Sequence, residues 1–238
     1  DSIFDTKGLI KRLWYNAKRA MFVSVATYMS TQLSFFYSGL FLSKSDVASY
    51  GLLTQLVSII TMLSMSISTF NIPFFSTLRA KRDIKKLRDA FYLSMGSFYY
   101  IYLVGTLFMI FIIPICLNII GSNVTIPIQT ICFIYLIYKF LEGQHIVCTY
   151  YLTSQNKIVD FESACIIGFA NLIMQTCVLK FTDYGLLGLV FIQFFVPLCY
   201  PNWKWPYEIC KEFKVTYPVL VKNSFGCVIN KGKQYLKK

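Results

Sequence analysis

The sequence predicts an all-α, polytopic membrane protein, and three observations lead there. Apolar runs of about 20 residues recur along the chain, the length that crosses a ~30 Å hydrocarbon layer. Charge is scarce: 14% of the 238 residues are Asp, Glu, Lys or Arg and 56% are hydrophobic, against about 25% charged in soluble domains. The basic residues also gather at alternate connections between the runs. A transmembrane barrel would show shorter, alternating segments. Irregular backbone cannot face lipid, so each run is expected to close its hydrogen bonds within a helix.

Taken in order, residues 1–19 form a basic leading segment. Six spans follow near 20–42, 51–76, 92–117, 127–152, 163–181 and 185–204, and a basic tail occupies 205–238. The connection around Thr182-Asp183 is short enough to make the last two spans a tight hairpin. Proline removes a backbone donor and clashes with the carbonyl four residues back. Pro73, Pro114, Pro197 and Pro201 therefore read as ends or kinks of their spans, with the terminal reading at least as good for Pro73, Pro114 and Pro201, and Pro197 the better kink candidate. Trp203, Trp205 and Tyr207 read as an interfacial anchor.

Six spans put three basic regions on one side. These are Lys7, Lys11, Arg12, Lys18 and Arg19; then Arg79, Lys81, Arg82, Lys85, Lys86 and Arg88; then the lysines from Lys204 to Lys238. The other side holds little beyond Lys44 and Lys180. An excess of Lys and Arg marks the cytoplasmic side, so both termini are expected there. The second basic region is read first as a topology signal. Its alternative is a lipid-facing loop, with Leu78, Ile84, Leu87 and Phe91 lying on the headgroups and membrane lipids as partners.

The fourth span carries the functional signal. At about 100° per residue, Tyr135, Tyr138, Lys139, Glu142, His145 and Thr149 share roughly a third of its circumference; Gln144 lies off that stripe. A charge at mid-bilayer costs roughly 2.5–3.5 kcal/mol, so it is expected to have a partner or a wet cavity. Mutual neutralisation of Lys139 and Glu142, three apart, is the plain structural alternative. The first span adds a polar line with Thr31 and Ser34, and the fifth adds Asn171 and Gln175. Small polar residues also serve helix packing in membranes.

Several classes find no support. The formal net charge of +12 comes without a nucleic-acid-binding motif, so no nucleic-acid partner is expected. The eight cysteines include no CxxC and fall mostly in apolar runs, which suits free thiols. A single histidine makes no metal site, no cofactor fingerprint occurs, and no catalytic constellation points to an enzyme.

The order of features, however, has a likeness. "RLWYNAKRAMF" opens onto a polar span and "SKSDVASYGLLTQL"; "STFNIPFFSTLRAKRDIKKL" closes the second span. The charged span follows, then "TSQNKI", "DYGLLGLVFIQ" and "WKWPYEICKEF". Over residues 10–214 this pattern resembles the second half of Wzx-type polysaccharide (O-antigen) flippases of the MATE-like (MOP) exporter superfamily. The resemblance implies one six-helix lobe of a two-lobe exporter in the bacterial cytoplasmic membrane, with an N-terminal lobe as its missing partner. It further implies an undecaprenyl-diphosphate-linked oligosaccharide as cargo, with a glycan polymerase or glycosyltransferases nearby. Lys139 would meet the diphosphate, Glu142 and His145 would exchange protons, and the hydroxyls and amides would meet sugars. A drug or metabolite exporter of the same superfamily and a non-transport scaffold in glycan assembly are the alternatives.

Overall fold

The computed structural model describes residues 6–155 and 161–236. Ten helices account for nearly all of them: α1 (Thr6–Phe41), α2 (Lys44–Phe70), α3 (Ile72–Ala80), α4 (Ile84–Phe111), α5 (Ile113–Ile119), α6 (Gln129–Thr153), α7 (Phe161–Phe181), α8 (Gly185–Leu198), α9 (Pro201–Phe213) and α10 (Tyr217–Leu236). Among the described residues there is no strand.

Five units are long and apolar enough to cross a membrane: Lys44–Ala80, Ile84–Ile119, Gln129–Thr153, Phe161–Phe181 and Gly185–Phe213. Three of these are pairs of helices broken where proline removes the donor that would continue the ladder. Pro73 begins α3 after the turn at Asn71, Pro114 begins α5 after Ile112, and Pro201 opens α9 after Cys199-Tyr200. Of the two readings of Pro73, Pro114 and Pro201, end or kink, the structure shows breaks inside longer units. Asn71 stabilises the first break by donating its amide to Ser94 Oγ on α4 at 2.7 Å.

The first expected span, 20–42, lies within α1 but is not among the five, because Ser, Thr and Gln dilute its apolar residues. α1 nevertheless lies along α7. Phe22 meets the Phe161 ring, Ala26 backs against Gly168, and Ser34 donates to Gln175 Oε1 at 2.9 Å. The paired positions rise together, so the two helices run in the same direction.

Two cores hold the bundle. One joins α3, α4, α6, α9 and α10 around Phe75, Phe91, Tyr151 and Phe213. These rings meet edge-on at 5.1–5.7 Å between centroids, the geometry aromatic quadrupoles favour. The other joins α2, α6 and α8 around Tyr50, Leu53, Val57, Tyr135 and Leu189. Outside the cores, side chains such as Met62, Phe133, Ile166, Phe169 and Ile173 are exposed. They form the apolar surface a bilayer solvates.

The basic regions gather at one end of this bundle. Arg19 lies 5.2 Å from the Phe161 ring, Gln155 donates to Glu212, and Arg79 pairs with Glu212. Three expectations there need correction. Leu78, Leu87 and Phe91 are core residues, and only Ile84 is exposed. The loop around them is two helix ends and a turn, which aims those side chains inward. Trp205 is likewise buried, while Trp203 and Tyr207 remain at the surface. The expected tail begins within α9 and continues as α10, which packs on α4. A Cβ at Gly96 would overlap the Ser224 carbonyl, so the close approach of the two helices requires glycine there.

Candidate functional site

α6 is the wall between two cavities. The first, about 620 Å³, lies between α1, α6, α7 and α9; Tyr138, Glu142, His145 and Thr149 line it with Ser24, Thr27 and Asn202. The second, about 680 Å³, lies between α1, α2, α6 and α8; Lys139, Tyr135 and Tyr138 line it with Tyr50, Gln32, Gln55 and Gln193. The 3–4 spacing places Tyr138, Glu142, His145 and Thr149 on one side of the helix. Lys139, one residue on from Tyr138, turns about 100° away and opens to the other.

An ion pair joins the two spaces near the middle of α6. Lys139 Nζ lies 2.6 Å from Glu142 Oε2, with 14% and 20% of the two side chains exposed. Tyr138 donates its hydroxyl to Glu142 Oε1 at 3.1 Å. The ammonium also sits 4.9 Å from the Tyr138 ring centroid and 5.9 Å from that of Tyr135, where ring quadrupoles attract a cation. Both oxygens of the carboxylate and the one cation are therefore engaged. A pair at i, i+3 costs little chain entropy to form, and it ties together no two helices.

The cavities differ in charge. Among the described residues lining them, the first has Glu142 and no Lys or Arg, and the second has Lys139 and no Asp or Glu. Over the second, Gln193 donates its amide to the Tyr50 hydroxyl at 2.9 Å, fixing a polar wall opposite Lys139. Such a space suits an anionic group flanked by hydroxyls, and the first suits a neutral or cationic one.

Other sequence-singled residues lie elsewhere. Ser34, Asn171 and Gln175 are buried in the α1–α7 seam. Thr31 lies outside the described side chains. Arg79 is partly buried and donates through Nε to Ser154 Oγ at 2.8 Å and through Nη1 to Glu212 Oε1 at 3.2 Å. Arg88 has a buried Nε, whereas Lys81, Arg82, Lys85 and Lys86 are exposed. The Ser and Thr of α2 mostly bond back to their own helix: Ser58 to the Thr54 carbonyl, Thr61 to Val57 and Ser64 to Ile60.

Sequence reasoning missed Tyr50 as the partner of Gln193 and missed Glu212 as the partner of Arg79. It also set aside Gln144, whose Oε1 accepts from Tyr99 at 3.0 Å and from Tyr217 at 2.7 Å. An amide that faces away from its neighbours' polar stripe was the available signal for a second contact surface. Among the described residues no group of three or more His, Cys, Asp or Glu is placed to hold a metal. The described cysteines are free thiols.

Fold and site together define an all-α, polytopic membrane protein with an ion pair between two cavities, each lined in part by polar side chains. No protein-family model, curated protein or solved structure matches the chain.

Proposed function

We propose that this chain is one lobe of a transporter that moves a lipid-linked, diphosphate-bearing glycan across a bacterial cytoplasmic membrane, its basic end facing the cytoplasm. The observation that carries the reading is the Lys139–Glu142 pair, held near the middle of a spanning helix between two cavities that each hold polar side chains. A pair that served packing alone would be replaced at little or no cost by apolar side chains of similar volume. Here the cation borders a space walled by Tyr50, Gln55 and Gln193, where a diphosphate would displace Glu142 as its partner. In a low-dielectric surround that attraction is much less screened than in water. Hydroxyl and amide groups of the same wall would take sugar hydroxyls. α1 counts as a sixth span in this reading, lying parallel to α7, and a second lobe completes the path.

Binding tests the proposal without requiring a complete path. The chain in nanodiscs is titrated with a polyprenyl-diphosphate disaccharide, with the corresponding uncharged polyprenol glycoside as control. Preference for the diphosphate is expected, with a loss of about tenfold in Lys139→Ala, the scale of one charge-assisted contact. Glu142→Gln, which releases the ammonium, is expected to bind severalfold tighter. Equal binding of both lipids by the wild-type chain would overturn the reading. Loss of tetraphenylphosphonium binding in Glu142→Gln, without diphosphate preference in the wild type, would instead favour a cation exporter.

A further inference from the structure

We propose that the outward face of α10 and the α3–α4 turn form a single docking surface for the headgroups of anionic phospholipid. The inference concerns the basic end of the bundle and does not depend on the cargo.

α10 lies along the part of α4 that follows the turn. Cys227 Sγ lies 3.7 Å from the Asp89 carbonyl, Asn223 Nδ2 reaches the Tyr92 hydroxyl at 3.5 Å, and Ser224 backs against Gly96. Tyr217 anchors the start of α10 to Gln144 of α6. α10 is thus fixed to the helices it accompanies, and its two faces are unequal. Leu220 and Ser224 are buried against α4, and Val221, Phe225 and Cys227 pack beside them. The opposite face exposes Lys222 and Lys233 together with Val219 and Ile229. Lysines beside aliphatic side chains on an outward face lay their stems along apolar surface and carry the charge to the headgroups.

Charge is strongly one-sided. Residues 78–89 and 204–236 contain twelve Lys and Arg against four Asp and Glu. Glu212 is engaged by Arg79, and Asp83 by Lys86. Among the described residues, Lys81, Arg82, Lys85, Lys222 and Lys233 make no ion pair. Folding has not neutralised them, although they border an apolar bundle. A leaflet rich in anionic lipid supplies the counter-charge, and long lysine stems reach it by snorkelling. A topology signal alone requires only that the charges be present during insertion. It does not require a helix fixed along α4 to present two of them on its outward face.

The full chain is placed in nanodiscs of equal phosphatidylglycerol and phosphatidylcholine, and the lipids it retains on release are measured by native mass spectrometry. The wild type is expected to retain phosphatidylglycerol preferentially. Lys81→Gln, Lys85→Gln, Lys222→Gln and Lys233→Gln combined should lower that preference at least threefold, and the four corresponding Arg substitutions should preserve it. Lys44→Gln with Lys180→Gln, at the other end, should leave it unchanged. The proposal is overturned if the fourfold Gln variant retains phosphatidylglycerol as the wild type does, or if the distant pair lowers retention equally.

Discussion

Two regions of α6 are built from the same parts and do different work. At Tyr151, Arg79 lies 4.9 Å from the ring centroid, and the tyrosine hydroxyl donates to Glu212 at 2.8 Å. At Tyr138, Lys139 lies 4.9 Å from the ring centroid, and the hydroxyl donates to Glu142 at 3.1 Å. Each region has one cation, one carboxylate and one tyrosine serving both. The difference is which helices own the charges. Arg79 and Glu212 belong to α3 and α9, so their pair fastens three helices against a packed aromatic core. Lys139 and Glu142 share one helix and border cavities. The first arrangement is a clasp. The second leaves its charges available to a ligand, since breaking it separates no helices.

The largest effect expected from this contrast is on stability. Arg79→Met leaves Glu212 the Tyr151 hydroxyl and the Gln155 amide but removes the tie from α3 to α6 and α9, and should cost about 1–2 kcal/mol in lipid or detergent unfolding. That is below the 3–5 kcal/mol of a fully buried pair, because both partners are partly exposed. Lys139→Met should cost less than about 1 kcal/mol, since Glu142 keeps the Tyr138 hydroxyl and borders a space that admits water. A larger loss in Lys139→Met than in Arg79→Met would reverse the comparison.

The third ion pair sets the lower bound. Asp83 and Lys86 are also three apart on one helix, but at its exposed end, 3.0 Å apart. Asp83 caps α4 by accepting the Lys86 backbone N–H at 3.1 Å. The Lys86 side chain, and then its backbone N–H, hold this carboxyl below the ordinary 3.8. A depressed carboxyl stabilises the fold above its ordinary value, and the contribution is lost as pH falls through its lower folded value. Lys86→Met, which removes the exposed ion pair and leaves the cap in place, should therefore give the smallest destabilisation of the three at neutral pH. Its difference from the wild type should vanish on strong acidification, as read by thermal unfolding across pH.

The bundle was largely legible because length and hydropathy identify membrane helices directly. The unbroken runs at 127–152 and 163–181 fall close to α6 and α7. What escaped was how far the units run past proline, to Ala80, Ile119 and Phe213, since a proline marks a break without saying where the unit ends. α10 escaped because its lysines read as a solvated tail. Its apolar positions at 217, 220, 221, 225 and 228 follow helical spacing, but only a neighbour such as α4 gives them something to bury against. At the site, periodicity grouped Tyr138, Glu142, His145 and Thr149, which share a cavity. It could not separate Lys139, because adjacent residues on a shared stripe can open to different spaces once helices flank both sides. Asn171 and Gln175 were recognisable as polar, yet a single chain's pattern does not reveal that Ser34 of α1 lies opposite. Arg79 and Glu212, 133 positions apart, carry no mutual signal at all.

The account turns on whether the Glu142 side of α6 faces water within a membrane-spanning bundle. In a cysteine-free background assembled in native membranes, His145→Cys and Thr149→Cys are compared with Phe133→Cys and Ile166→Cys for reaction with a hydrophilic thiol reagent. Rapid labelling at 145 and 149 with slow labelling at 133 and 166 is the expected result. Rapid labelling at 133 and 166 with protection at 145 and 149 would contradict it.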